Sequence, residues 1–121
     1  TINYAKAMVA KFKKIGGIYC VEQHLLKKNF FNLIINATSS GIYDEVPKIP
    51  CELVSPDIYF YDLYYQSCLT PFLKWCKYNG GIYLSDGLGM LVSQAAHSFF
   101  LWHSKFPNVE RVIQILKNLS K

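Results

Sequence analysis

Asn32-Leu33-Ile34-Ile35-Asn36-Ala37-Thr38 is a short, almost continuously apolar run that ends in small polar residues. A parallel strand covered on both faces reads this way, because neither side has to meet water. Asp57 to Tyr65 is a second buried strand, rich in the Tyr and Phe that suit a pleated surface. Between the two runs, Ser39 to Pro56 carries Pro47, Pro50 and Pro56 and reads as loop, with one helical turn near 51–54. Thr70-Pro71 opens a helix, Thr as N-cap and Pro at the first helical position, which closes at Asn79-Gly80-Gly81. Ile82 to Leu84 reads as a last short strand, and Ser85-Asp86-Gly87 leads into a long helix from Leu88 to about Lys105. Pro107-Asn108 starts an amphipathic final helix with Val109, Val112, Ile113, Leu116 and Leu119 on one face.

Toward the N-terminus, Ala5, Met8, Val9, Phe12 and Ile15 recur at helical spacing with lysines opposite, and Gly16-Gly17 stops that helix. Gly17 to Glu22 is expected as a short strand, and Gln23 to Asn29 as a helical turn or loop. Strands alternating with helices predict an α/β domain with a parallel sheet.

The composition excludes several classes. Of 121 residues, 51% are apolar and 17% charged, so the chain buries a core and is not disordered. The longest apolar helix candidate, Leu88 to Trp102, is interrupted by Ser93, Gln94, His97 and Ser98, which argues against a membrane span. The net charge is +5, yet twelve of the thirteen basic residues are Lys, scattered along the chain, and only Arg111 is Arg. Nucleic-acid readout favours a patch of Arg, so a solvated lysine surface is expected and no nucleic-acid partner. Cys20, Cys51, Cys68 and Cys76 form no C-x-x-C pair and share no ligand spacing with His24, His97 or His103. Reduced packing cysteines and no metal site follow, as in a cytoplasmic protein. The start, Thr1-Ile2-Asn3-Tyr4, has neither an initiator Met nor a signal-peptide layout, which suggests a piece of a longer chain.

In open parallel sheets ligands bind beyond the carboxyl ends of the strands. Three segments qualify: Asn36 to Ser40, Tyr64 to Gln66, and Asp86 to Met90. The first offers hydroxyls and backbone N–H groups that suit a dinucleotide's ribose and phosphates, but a polar turn bonded to its own backbone is the simpler reading. Asp86-Gly87-Leu88-Gly89 imitates a dinucleotide fingerprint, yet Val92 stands where a third small residue belongs. Asp86 as an N-cap beside glycines that allow close packing is the stronger alternative. In the long helix Leu88, Leu91, Val92, Ala95, Phe99 and Trp102 form one apolar stripe, and Met90, Gln94, His97 and Leu101 a second face. A helix apolar almost all round is buried on several sides, so another domain or a ligand should cover it. Gln94 on that second face offers a donor and an acceptor to a polyol. Tyr65 could donate its phenol to a substrate hydroxyl, although any one of nine tyrosines is more often packing.

Read in order, Leu33 to Gly41, Tyr61-Asp62-Leu63-Tyr64-Tyr65-Gln66, Thr70-Pro71-Phe72-Leu73 and Asp86 to Ala96 resemble the shikimate dehydrogenase family over the whole chain. The Gln94-Ala95-Ala96 word in mid-helix is the most specific part. The resemblance implies a partial Rossmann-like NAD(P)-binding domain, residues 1–121, that lacks its first strands. Residues 87–121 would be a helical tail packing on an absent substrate domain. It also implies NADP-dependent, reversible reduction of 3-dehydroshikimate to shikimate. By position, Tyr65 and Gln94 would bind shikimate, Thr38 and Ser39 would line the cofactor site, and Leu63, Gly87 and Met90 would approach the nicotinamide. Thr1 would end the family's adenosine-phosphate motif, and Tyr4 stands where the family usually has an Arg, which weakens that clamp.

The family's catalytic Lys and Asp and its glycine-rich turn match nothing here, so no catalytic residue is assigned. The chain alone is expected to be inactive, to bind NADP poorly, and to self-associate as a dimer through the sheet edge and helix faces left open. A quinate/shikimate dehydrogenase with relaxed cofactor choice, a non-catalytic nucleotide-binding module and a basic interaction protein are the rival readings.

Overall fold

Phe60, in the middle strand, decides which side of the sheet becomes the core. The computed structural model describes residues 2–26 and 31–119. Its three strands are β1 (Leu33–Asn36), β2 (Tyr59–Asp62) and β3 (Tyr83–Ser85), parallel and in the order β1-β2-β3. The register aligns Ile34 with Phe60 and Phe60 with Leu84, so these three side chains share a face. Against that face lies helix α2 (Pro71–Tyr78), whose Phe72, Leu73 and Cys76 join Val54, Ile58 and Phe60 in the core. Phe60 meets Phe72 edge-on at 6.4 Å, and each ring buried this way contributes about 1.5–3 kcal/mol.

Helix α2 starts as its sequence predicts. The Thr70 hydroxyl accepts the Leu73 N–H at 3.3 Å, and Pro71 occupies the first turn, where no N–H is missed. The strands are shorter than the apolar runs that encode them, for a local reason. Asn36 and Asp62 each accept the N–H two residues on, from Thr38 at 3.1 Å and Tyr64 at 3.2 Å. Side chains take over the backbone donors there, the chain turns, and both ladders stop.

The long helix α3 (Leu88–His103) buries Leu88, Val92 and Ala96, and the final helix α4 (Val109–Leu119) packs along it. Helix α3 ends at Ser104, which adopts the left-handed conformation and gives its N–H to the Phe100 carbonyl. Asn108 caps α4 through its side-chain oxygen, which accepts the Arg111 N–H at 2.9 Å. Helix α1 (Ile2–Phe12) buries none of its residues. Of the turn expected at Gln23 to Asn29, Gln23–Leu25 is helical, and residues 27–29 lie outside the described residues.

Two expectations need correction. Gly17 to Glu22 forms no strand, because no described strand lies beside it to supply a ladder. The sheet is covered on one face only among the described residues: Leu33, Ile35, Tyr59 and Tyr83 stay about half exposed, with Tyr59 and Tyr83 stacked at 4.6 Å. Helix α3 stays open along much of its length, Leu101 on its second face being 78% exposed and Trp102 on its first stripe 77%. A turn at Ser40–Tyr43, unforeseen in the sequence, also joins the expected one at Cys51–Leu53.

Among the described residues no helix is long and apolar enough to cross a membrane. All four cysteines are free. Burial first, then the Asp62 carboxylate, pushes the Cys76 thiol up to about 12. Raised above its unfolded value, it contributes stability that is intact below about pH 9 and declines as pH rises toward 12. Native thiol alkylation at pH 8 should therefore modify exposed Cys51 and Cys68 while sparing Cys76 until the chain is unfolded. Mass spectrometry of the labelled peptides is the check, and equal labelling of Cys76 would contradict its packing.

Candidate functional site

All three strands point their carboxyl ends the same way, and the loops leaving those ends are fastened to one another. Asp62, closing β2, is wholly buried. Its Oδ1 accepts from Asn36 Nδ2 at 3.1 Å and from the Tyr64 N–H at 3.2 Å, and its Oδ2 accepts from the Thr70 hydroxyl at 2.6 Å. A buried carboxylate is tolerated only when both its oxygens are hydrogen-bonded, and here three neutral donors serve them. One side chain thus ties the end of β1, the turn after β2 and the start of α2.

Two glycines bring the loops into contact. A Cβ at Gly87 would fall onto the Leu63 carbonyl oxygen and 2.7 Å from its carbon. Only glycine lets the β3–α3 turn touch the backbone after β2, where the Gly87 N–H reaches the Tyr64 oxygen at 3.2 Å. At Gly41 a Cβ would stand 2.6 Å from the Tyr64 ring, so that ring lies flush on the loop after β1.

Gly87 occupies the N-cap position of α3 without a side-chain bond, and Asp86 holds the Leu88 N–H at 3.1 Å from one residue earlier. Asp86 therefore steadies the helix start without being its N-cap. Close packing, not phosphate binding, explains the glycine there.

The structure brings Thr38, Leu63 and Gly87 together at this end of the sheet through the Asn36–Asp62–Tyr64 connections. Tyr65 follows directly and, with Cys68, Asp86, Leu88 and Lys117, lines a cleft of about 310 Å³. Leu63 and Met90 are partly exposed, and so is Gln94, one helical turn beyond Met90. No hydrogen bond joins Gln94 to Tyr65. Tyr4 is 78% exposed on α1 and shares no hydrogen bond or ring contact with the others, while Thr1 lies outside the described residues. Thr38 and Ser40 bond mainly to Asn36 and to each other, which partly bears out the simple polar-turn reading. Ser39 makes no side-chain cap bond.

Sequence reasoning missed Asp62, Asn36, Tyr64 and Gly41 as organisers of the site. A signal existed for Asp62. A carboxylate among Tyr59, Phe60 and Tyr61 in a strand expected to be buried must find partners. Among the described residues, no three His, Cys, Asp or Glu side chains are grouped to hold a metal.

A parallel sheet with helices packed on it defines an α/β class of domain. Comparison with known proteins narrows this. The pattern of the shikimate 5'-dehydrogenase C-terminal domain matches residues 87–117, which span α3 and most of α4. An Ael1 enzyme from Pseudomonas putida is 31% identical with a TM-score of 0.77, over 93% of this chain and 42% of that one. Shikimate 5-dehydrogenase from Thermus thermophilus, solved with NADP(H) and shikimate, is 28% identical with a TM-score of 0.75, over 94% and 41%. Shikimate dehydrogenase from Aquifex aeolicus is 28% identical with a TM-score of 0.74, over 90% and 39%. The chain belongs to the shikimate dehydrogenase family, as its C-terminal part. It spans about two-fifths of the length of these solved structures.

The glycine contacts lead to a paired test. Gly87→Ala should destabilise the chain by about 2–3 kcal/mol, since overpacking against backbone has no side chain to yield. Gly89→Ala, in the first turn of α3 with open space around it, should instead stabilise by about 0.5–1 kcal/mol. Urea unfolding of both variants is the measurement, and similar small effects would mean that the Leu63–Gly87 contact is loose.

Proposed function

We propose that the chain is the cofactor-side part of an NADP-dependent dehydrogenase that interconverts 3-dehydroshikimate and shikimate. The single observation that carries this is the fastening of Leu63 against Gly87 at the carboxyl ends of β2 and β3, beside Tyr65 and the start of α3. A flat ring can rest beside this contact because Leu63 and Met90 are apolar and accessible. The relative solved with NADP(H) and shikimate supports the choice of both ligands.

The residues present fit the nicotinamide half of the cofactor. Leu63, Gly87 and Met90 would flank the ring, and Thr38 and Ser39 would stand near the ribose end of the loop after β1. The adenosine end fits less well, because Tyr4 carries no positive charge to hold a 2'-phosphate. When bound, the nicotinamide supplies or takes the hydride. Tyr65 and Gln94 would hold the hydroxyls of shikimate and orient its carbon toward that ring. Proton transfer falls to a Lys and Asp pair in another part of the full protein. Residues 87–121 would pack against that part, which accounts for the exposure of Leu101 on the second face of α3 and of Trp102 at the end of its first stripe.

The full-length parent should reduce 3-dehydroshikimate with NADPH, and Gln94→Ala should cost about 1–3 kcal/mol in kcat/KM by leaving substrate hydroxyls unpaired. Steady-state kinetics decide it, and unchanged constants would remove Gln94 from the substrate site. The 121-residue chain alone should show no turnover.

The same chain should form a dimer. Its half-exposed Leu33, Ile35, Tyr59 and Tyr83 and the outer edge of β1 form a flat apolar surface of the kind that seeks another chain. Light scattering over a concentration series is the direct check, and a mass that stays at 13.9 kDa would contradict it.

A further inference from the structure

The loop after β1 offers three hydroxyls, at positions 38, 39 and 40, and the hydrogen bonds around them determine which can give a proton to a ligand. Asp62 Oδ1 meets two N–H groups, from Asn36 and Tyr64, so it acts there as an acceptor whatever the charge of the carboxyl. The Asn36 amide must then turn its NH₂ toward Asp62 and its oxygen toward Thr38. The Thr38 N–H, at 3.1 Å from the same oxygen, requires the same orientation, so two independent donors and acceptors fix one rotamer.

That orientation propagates. Asn36 Oδ1 cannot donate, so at 2.8 Å it receives the proton of the Thr38 hydroxyl. At 2.7 Å from Ser40 Oγ, Thr38 Oγ1 has only lone pairs left to offer, and the Ser40 hydroxyl must be the donor. The Ser40 N–H lies 3.4 Å from the same Thr38 oxygen and takes its remaining side. Thr38 is then full. Ser40 keeps lone pairs but no free proton. Ser39, exposed and without a side-chain cap bond, retains its hydroxyl proton.

We propose that Asn36, held by Asp62, is a positioning residue that sets the hydrogen-bond polarity of the Thr38–Ser40 loop. Ser39 becomes the loop's one hydroxyl donor to ligand phosphate oxygens, and Ser40 an acceptor for a ligand hydroxyl. The inference rests on the dinucleotide reading of this loop, and it assigns Thr38 to holding the loop's shape, not to touching the cofactor.

Nuclear magnetic resonance of the isotopically labelled 121-residue chain, titrated with inorganic pyrophosphate and separately with NADP⁺ to millimolar concentration, tests it. Ser39→Ala should weaken pyrophosphate by about tenfold or more, the loss of one hydrogen bond to a charged group. Ser40→Ala should weaken NADP⁺ by about threefold to fivefold and pyrophosphate by less than about twofold, because only the first has hydroxyls to give. The Ser39 penalty is then measured again in two backgrounds. Asn36→Ala frees the Thr38 and Ser40 protons to serve the phosphate, so the penalty should shrink to about twofold. Asp62→Asn can still accept at one atom and give its amide to Thr70, so it should keep the full penalty.

A Ser39 penalty identical in all backgrounds would reduce Asn36 to a purely structural residue and overturn the proposal. Should Asn36→Ala not fold, the wild-type chain still decides. Cross-relaxation placing the Asn36 NH₂ protons beside Thr38 instead of Asp62 would reverse the polarity and sink it. If the NH₂ faces Asp62 but neither ligand moves any resonance of residues 36–41, the dinucleotide reading fails, and the ligand assignments fail with it.

Discussion

A carboxylate without a cation sits at the centre of this structure. Asp62 is 0% exposed, and among the described residues no ion pair reaches it. Its charge is stabilised by an amide, a backbone N–H and a hydroxyl, each from a different element. Removing the Thr70 hydroxyl leaves the buried Oδ2 without a donor, at a cost of about 1–3 kcal/mol, whereas Oδ1 keeps one donor if it loses the other. The consequence is geometric. The end of β1, the turn after β2 and the N-cap of α2 cannot shift independently, because each would break a bond to the same side chain. The Thr70 hydroxyl takes part twice, donating to Asp62 and accepting from Leu73. The start of α2 is thereby coupled to the floor of the site, and α2 in turn carries the core rings that hold the sheet.

The elements that sequence resolves well are those with strong local encoding. Thr70-Pro71 marks a helix start by capping chemistry alone, and Asn79-Gly80-Gly81 an end by conformational freedom, Gly80 having φ +97°. Helix α4 is legible from its apolar stripe, and the parallel arrangement from the alternation of strands and helices. Strand limits were less legible, because Asn36 and Asp62 end the ladders by side-chain bonds that depend on tertiary position. The strand expected at Gly17 to Glu22 failed for a related reason. A strand is defined by its neighbour, and its own residues carry no information about whether one is present.

The site divides in the same way. That Thr38, Leu63, Tyr65 and Gly87 lie at the carboxyl ends of the strands was legible from the order of the elements. The contacts that organise them were not, since the Gly87–Leu63 approach and the Tyr64 ring on Gly41 join residues far apart in the chain. The glycine at 87 illustrates a motif-like spacing for which the close-packing alternative is the one the fold shows. Its fingerprint-like spacing suggests a phosphate turn, whereas in the fold its missing side chain admits a carbonyl group. Position, more than motif, determines its role.

Two kinds of surface therefore meet at the carboxyl end of the sheet. Asn36, Asp62, Tyr64 and Gly87 form a floor in which each group is tied to another element, so its geometry is set before any ligand arrives. Such preorganisation suits a cofactor, whose reactive ring has to be held within fractions of an ångström to react. Met90 and Gln94 lie on an exposed helix face with no tertiary hydrogen bonds among the described residues to hold them. Groups on that face can be fixed only by what comes to cover α3, whereas the floor is fixed by its own hydrogen bonds. The stiffness of one surface and the freedom of the other follow from the same fact: Asp62 reaches β1, β2 and α2 but makes no hydrogen bond to α3.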